Sequence, residues 1–176
     1  MRNRIFLFAV LLATFVSTKA QWPENNFPKG WEGSWEGRVE YTTTLGMSMD
    51  VYTALHIYST ASDDTVNFTI VYGEDSTDIR EYRMIKGEED YEWILDEQNG
   101  IEIQSYFIGN QLVNLFDVQG TLLMAIYELR EKEVLMQMFA FDSKDPLKSG
   151  LGTKESPLVN SYYLLSYSRA IMTRTK

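Results

Sequence analysis

The sequence contains no cysteine and a single histidine, His56. Without cysteine the chain cannot form disulfides, use a thiolate nucleophile or build a cysteine metal site. No motif supplies the orienting partner that a catalytic histidine requires, and one histidine leaves a zinc site dependent on carboxylates. Phosphate-binding loops and serine-nucleophile motifs are also absent from the sequence. We therefore predict a non-catalytic protein that needs no metal or other cofactor.

Basic residues are scarce, with 16 Lys and Arg against 25 Asp and Glu. An acidic surface repels phosphate backbones, so nucleic acid is not an expected partner. Two of the arginines, Arg2 and Arg4, precede an apolar run at 5–16 and small polar residues at 17–20. This order predicts a signal peptide over residues 1–20, cleaved between Ala20 and Gln21. We expect a secreted or periplasmic protein without stable membrane insertion, because the run is too short for a spanning helix.

No later stretch sustains a helical apolar stripe, and alternating segments take its place. Val66, Phe68, Ile70 and Tyr72, for example, alternate with polar or smaller residues, as in a half-buried strand. About ten such segments, separated by turn residues, predict an all-β domain over 35–176. The expected architecture is a single antiparallel up-and-down β-barrel, with residues 21–34 as an irregular lead-in. Residues 143–160 show no period and are expected to form a long loop acting as a lid, crossing connection or flap.

The two ends of this all-β region carry a family resemblance. Gly33, Trp35 and Gly37 at the first strand, with an arginine near the end of the last, resemble the calycin superfamily of lipocalin-like and nitrobindin-like barrels. The resemblance implies that the arginine stacks on the tryptophan and plugs one end of a calycin-like barrel. Arg169 is the first candidate and Arg174 the second. Val39 replaces the third glycine of the nitrobindin pattern, and no histidine follows His56. Haem is therefore not expected.

Aromatic residues are abundant, with 11 Tyr, 9 Phe and 4 Trp. Such side chains inside a barrel could orient a flat or aliphatic ligand, or could simply fill the interior as a solid core. The candidate ligand-binding residues are Tyr52, His56, Tyr58, Trp93, Tyr163 and Tyr167. We expect first a carrier of a small hydrophobic or amphipathic molecule. A solid-cored envelope or extracellular interaction module comes second, and a barrel isomerase or hydrolase third.

Overall fold

A computed structural model describes residues 27–175, which form one closed antiparallel β-barrel of ten strands. The strands are β1 (Gly33–Thr43), β2 (Ser48–Ser59), β3 (Thr65–Tyr72), β4 (Asp78–Lys86), β5 (Glu92–Asp96), β6 (Glu102–Ile108), β7 (Gln111–Val118), β8 (Thr121–Arg130), β9 (Glu133–Ser149) and β10 (Val159–Arg174). A short 3-10 turn, Lys29–Trp31, precedes them. The all-β prediction is confirmed. The expected signal peptide and residues 21–26 of the lead-in lie outside the described residues.

Each strand pairs with its neighbours in sequence, and β10 closes the ring on β1. The closing register runs from Trp35 opposite Arg174 to Thr43 opposite Ser166. The ring is continuous, but the short β5 pairs with β4 only at 83–86 and β6 pairs with β7 only at 111–114, so the outer parts of β4 and β7 are unpaired on that side. We call the end at Trp35 and Arg174 the plug end. The opposite end, where the β1–β2, β3–β4 and β7–β8 turns lie, is called the open end.

Side chains alternate between the interior and the outer surface, as the two-residue period of a strand requires. On β3, Val66 and Phe68 are 1% and 0% exposed, whereas Asn67 between them is exposed. The plug end is the most densely packed part of the interior. There Phe27 meets Trp93 edge-on, with ring centroids 4.8 Å apart, and stacks on Phe107 at 5.4 Å. The lead-in therefore supplies core residues, and β1 begins at Gly33, two residues earlier than expected.

The loop expected over residues 143–160 is largely strand. β9 continues to Ser149 and β10 begins at Val159, so the connection covers only 150–158. The pairing passes from Tyr163 opposite Asp142 to Ser161 opposite Leu147, so residues 143–146 have no partners on β10. Pro146 lies in this bulge, where its missing N–H costs no ladder hydrogen bond. We call residues 147–161 the arm, because they extend beyond the barrel wall at the open end.

Candidate functional site

Trp35 closes the plug end. It is 1% exposed, and its indole Nε1 donates a hydrogen bond to the carbonyl oxygen of Trp31 at 2.9 Å. The guanidinium carbon of Arg174 lies 4.4 Å from the centroid of the Trp35 ring, within cation–π range. Arg174 Nη2 also donates to the Gly30 carbonyl at 3.0 Å. Arg174 on the last strand therefore contacts both the Trp35 ring and the lead-in at Gly30.

The first candidate for this contact, Arg169, lies elsewhere. It stands opposite Glu40 on β1 and is exposed on the outer face. The inward residues of β10 are the even-numbered ones, such as Ala170 and Met172, which are 1% and 0% exposed. Arg174 shares their parity and their side of the sheet, and Arg169 does not. The assignment of Arg169 as the plug residue is therefore wrong.

Two glycines permit this geometry. Gly33 has φ +128°, a conformation that L side chains rarely adopt, and its position lies against the Arg174 side chain. A Cβ built on Gly37 would lie 2.3 Å from the Ile171 carbonyl oxygen. β1 and β10 can therefore approach this closely only where a side chain is absent.

Four of the six predicted ligand-binding residues lie on the outer face of the barrel. Tyr52, His56 and Tyr58 lie on the outer face of β2, where Ser34 Oγ is 2.8 Å from both His56 Nδ1 and Tyr58 Oη. Tyr167 likewise lies on the outer face of β10, opposite Phe139. Tyr163 lies beyond the register shift at Leu165, opposite Asp142 on the inward side of β9, but it is 57% exposed at the open end. The face of β2 that carries the larger aliphatic residues turns inward, because burying them gains more than burying phenols and imidazole.

The sixth predicted residue, Trp93, does face the interior. It is 3% exposed and packs on Phe27 at the plug end, as part of the dense core. Its indole nitrogen is buried without a hydrogen-bond partner among the described residues. Trp93 is therefore the one buried member of the predicted set, and it lies at the closed end of the barrel.

A floor crosses the barrel between its two ends. Tyr127 on β8 meets Phe68 on β3, with ring centroids 5.4 Å apart and planes at 88°. These strands are five positions apart in a ring of ten, so the contact joins opposite walls. Inward residues beyond it, including Phe116 and Met138, are only partly buried. Solvent therefore reaches the interior from the open end.

Arg80 on β4 supplies a positive charge in this open half. Its guanidinium carbon lies 5.1 Å from the Tyr72 ring centroid, and its Nε and Nη2 donate to the Asp78 carboxylate at 3.2 and 3.0 Å. The Asp78 hydrogen bonds raise the pKa of Arg80 and, in return, lower the pKa of Asp78. Arg80 therefore remains a cation, held between a carboxylate and an aromatic face.

The positive charge of Arg80 acts on three nearby tyrosines. Burial raises the pKa values of Tyr72 and Tyr82, and the positive charge of Arg80 opposes part of each shift. Tyr127 is 3% exposed, and burial raises its pKa furthest. Its hydroxyl has no hydrogen-bond partner within residues 27–175, and its oxygen is not among the fully enclosed partnerless atoms of that range. The phenols are consequently neutral at physiological pH and act as hydrogen-bond donors or acceptors.

Further polar groups are buried in the wall. Thr53 is 0% exposed, and its Oγ1 has no hydrogen-bond partner among the described residues. On β7, Asn114 donates from Nδ2 to Ser105 Oγ. Buried hydroxyls that lack partners are uncommon, because losing water without a replacement is costly. The interior therefore retains unused hydrogen-bonding capacity.

We call Tyr72, Arg80, Tyr82 and Tyr127 the open-end cluster. It was not predicted from the sequence, although the strand pattern contains a signal for it. Tyr72 continues the inward series Val66, Phe68 and Ile70, and Ile70 stands opposite Arg80 in the β3–β4 register. Following that parity across the β3–β4 turn places Arg80 and Tyr82 on the same inner wall.

The described residues restrict other site types. Within residues 27–175 there is no group of three or more His, Cys, Asp or Glu side chains placed to hold a metal ion. Over that same range, no helix has the length and apolar character needed to cross a bilayer.

Comparisons with known proteins identify the fold. No protein-family model matches the sequence, and no curated protein matches it significantly. One similar solved structure is a protein of unknown function from the DUF3598 family of Nostoc punctiforme, with a TM-score of 0.58 and 11% identity. The match covers 84% of this chain and 48% of that one, so this chain spans about half its length.

A second similar structure is an S-type phycobiliprotein lyase from Guillardia theta. Its TM-score is 0.53 at 9% identity, and the match covers 82% of this chain and 88% of that one. At these identities the likeness concerns the fold alone. Together with the ten-strand closed ring, it fits a calycin-like barrel.

Proposed function

We propose that this barrel reversibly binds a small hydrophobic or amphipathic molecule in its open half, without catalysis. The observation that carries the proposal is the floor of the open half, where the Tyr127 hydroxyl has no hydrogen-bond partner among residues 27–175 and interacts electrostatically with Arg80, Tyr72 and Tyr82. Arg80 supplies a cation at the entrance above it. Mostly apolar walls with a few convergent polar groups are typical of small-molecule sites.

The dimensions of the open half suit a short ligand. Phe68 at the floor and Tyr72 at the entrance are four residues apart on β3, which corresponds to about 13 Å along the strand. The wall formed by β9 and β10 carries small inward residues, Ala140, Ser166 and Ser168. A ten-strand ring is wider than the eight-strand barrels that side chains fill completely. We infer an apolar body between these walls, with an acceptor head group at Arg80 and Tyr82.

The structural comparisons are consistent with this role. The chain shares its fold with a protein described as a phycobiliprotein lyase, and this likeness is compatible with a barrel that binds a small molecule. A likeness at 9% identity does not carry over that protein's lyase chemistry.

A fluorescent polyene fatty acid, cis-parinaric acid, tests the proposal. The native chain should bind it with saturation, and Arg80→Met should raise the dissociation constant about tenfold, because a charge-assisted hydrogen bond is lost while the apolar stem remains. Arg83→Met is the matched control, since Arg83 lies on the same strand but on the outer face. Failure of the native chain to bind, or an equal loss in both variants, would overturn the proposal.

We also propose that the protein is secreted or periplasmic. The motivation is the order of residues 1–20 in the sequence, a basic start followed by an apolar run and small residues. Amino-terminal sequencing of protein recovered from the extracellular or periplasmic fraction should begin at Gln21. An intact Met1 in the mature protein would contradict it.

A further inference from the structure

Large exposed apolar side chains concentrate at the open end. The three most exposed in the described chain are Leu45 (87%), Leu151 (82%) and Leu158 (76%). Leu45 lies in the β1–β2 turn, and the other two lie at the tip of the arm. Met47 and Met49 beside Leu45 are 61% and 56% exposed, and Leu147 on the arm is 56% exposed. We call these side chains, together with Tyr162 and Tyr163 at the base of the arm, the apolar rim.

The rim stands on a fixed base. The Thr44 amide donates to the Leu165 carbonyl at 3.0 Å, which ties the β1–β2 turn to β10. On the other side, the Ser143 amide donates to the Gly120 carbonyl at 3.1 Å. Beyond this base, β9 runs a further seven residues past Asp142, or roughly 20 Å of strand. Since its leucines are exposed, the arm projects outward and does not fold onto the barrel.

Charge sets this sector apart from the rest of the molecule. Residues 27–175 carry 12 basic and 24 acidic side chains. Residues 44–49 carry none, and residues 147–165 carry two lysines, Lys148 and Lys154, and one acid, Glu155. The rim is therefore the part of this acidic protein that a lipid surface repels least.

The shape and residue types favour a bilayer over a protein partner. The leucines occupy two protruding tips, Leu45 on the β1–β2 turn and Leu151 with Leu158 on the arm, which a fluid apolar layer accepts without a complementary pocket. Tyrosine and lysine lie behind them, at Tyr162, Tyr163 and Lys148, and both types are favoured at the water–lipid boundary. Shallow burial of such side chains gives reversible attachment and not a spanning segment.

We infer that the protein docks reversibly on a lipid bilayer through the apolar rim, with the barrel entrance facing the membrane. The docking does not depend on the ligand proposed above. If both hold, an apolar ligand could pass between bilayer and barrel without crossing water.

The absence of native cysteine allows a position-specific test. The full chain carrying Leu151→Cys, labelled with the environment-sensitive dye NBD, is mixed with phosphatidylcholine vesicles. The emission should shift to shorter wavelength and increase severalfold as the tip enters the lipid. Ile108→Cys is the control, because Ile108 is 44% exposed on the outer face at the plug end. No shift at position 151, or an equal shift at position 108, would overturn the inference.

Charge substitution provides the second measurement. The double variant Leu151→Glu/Leu158→Glu should lower the vesicle-dependent dye response at a Leu45→Cys label at least tenfold, whereas Ile108→Glu should leave it unchanged. Circular dichroism confirms that each variant is folded. If the dye at position 151 responds to protein concentration without vesicles, a second copy occupies the rim and the bilayer assignment is wrong. If it responds to vesicles while parinaric acid binding fails, docking stands and the carrier proposal does not.

Discussion

Replacing Trp35 with alanine should destabilise the barrel by about 3–5 kcal/mol. The indole is 1% exposed and donates a hydrogen bond to the Trp31 carbonyl, so its removal leaves both a cavity and an unpaired acceptor. Arg174→Ala should cost about 1 kcal/mol, because the cation–π contact at 4.4 Å is made by an exposed side chain. Arg169→Ala should change stability by less than about 0.5 kcal/mol, as an ordinary surface substitution does.

Urea unfolding followed by circular dichroism measures all three effects, and the double variant Trp35→Ala/Arg174→Ala completes a cycle. Since the two side chains touch, the double variant should be destabilised by less than the sum of the single effects. A loss below about 1 kcal/mol for Trp35→Ala would show that the indole does not close the barrel. An Arg169→Ala effect as large as that of Arg174→Ala would refute the assignment of the stacking arginine.

Three further changes probe the remaining geometry. Burial raises the pKa of Tyr127, so the unfolded chain releases this proton first and stability should fall as the pH rises above about 10. Tyr127→Phe should weaken that alkaline loss of stability. At pH 7 its free energy of unfolding should stay within about 1 kcal/mol of the native value, because no hydrogen bond is lost. Urea titrations at pH 7 and above pH 10 measure both effects, and an unchanged alkaline loss in the variant would contradict the reasoning. Gly37→Ala should cost at least about 1–3 kcal/mol, because its Cβ would lie 2.3 Å from the Ile171 carbonyl oxygen; a thermal midpoint equal to that of the native chain would count against the close approach. His56→Ala should leave parinaric acid affinity unchanged, because His56 is on the outer face; a clear loss would return the site to that face.

The strands could be predicted from the sequence because alternation is a local property. The alternation of Val66, Phe68, Ile70 and Tyr72 coincides with β3, Thr65–Tyr72, because its inward residues are large and apolar and its outward residues are mostly polar. The facing of β10 could not be read in the same way. Its inward residues Ser166, Ser168 and Ala170 are small or polar, whereas outward Ile171 is 40% exposed. Polarity alone therefore predicts the wrong facing for this part of β10, where Tyr167 and Arg169 lie on the outer face.

The open-end cluster could not be predicted from local sequence patterns, because its residues meet only when the sheet closes into a ring. Tyr127 reaches Phe68 only because β8 and β3 are on opposite walls of a ring, a relation that no local pattern encodes. The extension of β9 into the arm was not predicted for a different reason. Residues 143–146 form a bulge without partners on β10, so the alternating pattern breaks although the strand continues to Ser149.

Native mass spectrometry of the protein, purified without unfolding, tests the carrier proposal most directly. The native chain and His56→Ala should both retain an added mass of a small molecule. Arg80→Met should lose most of it, because the cation at the barrel entrance is gone. Absence of any added mass, together with failure to take up apolar probes, or equal retention by Arg80→Met, would contradict a ligand site in the open half of the barrel.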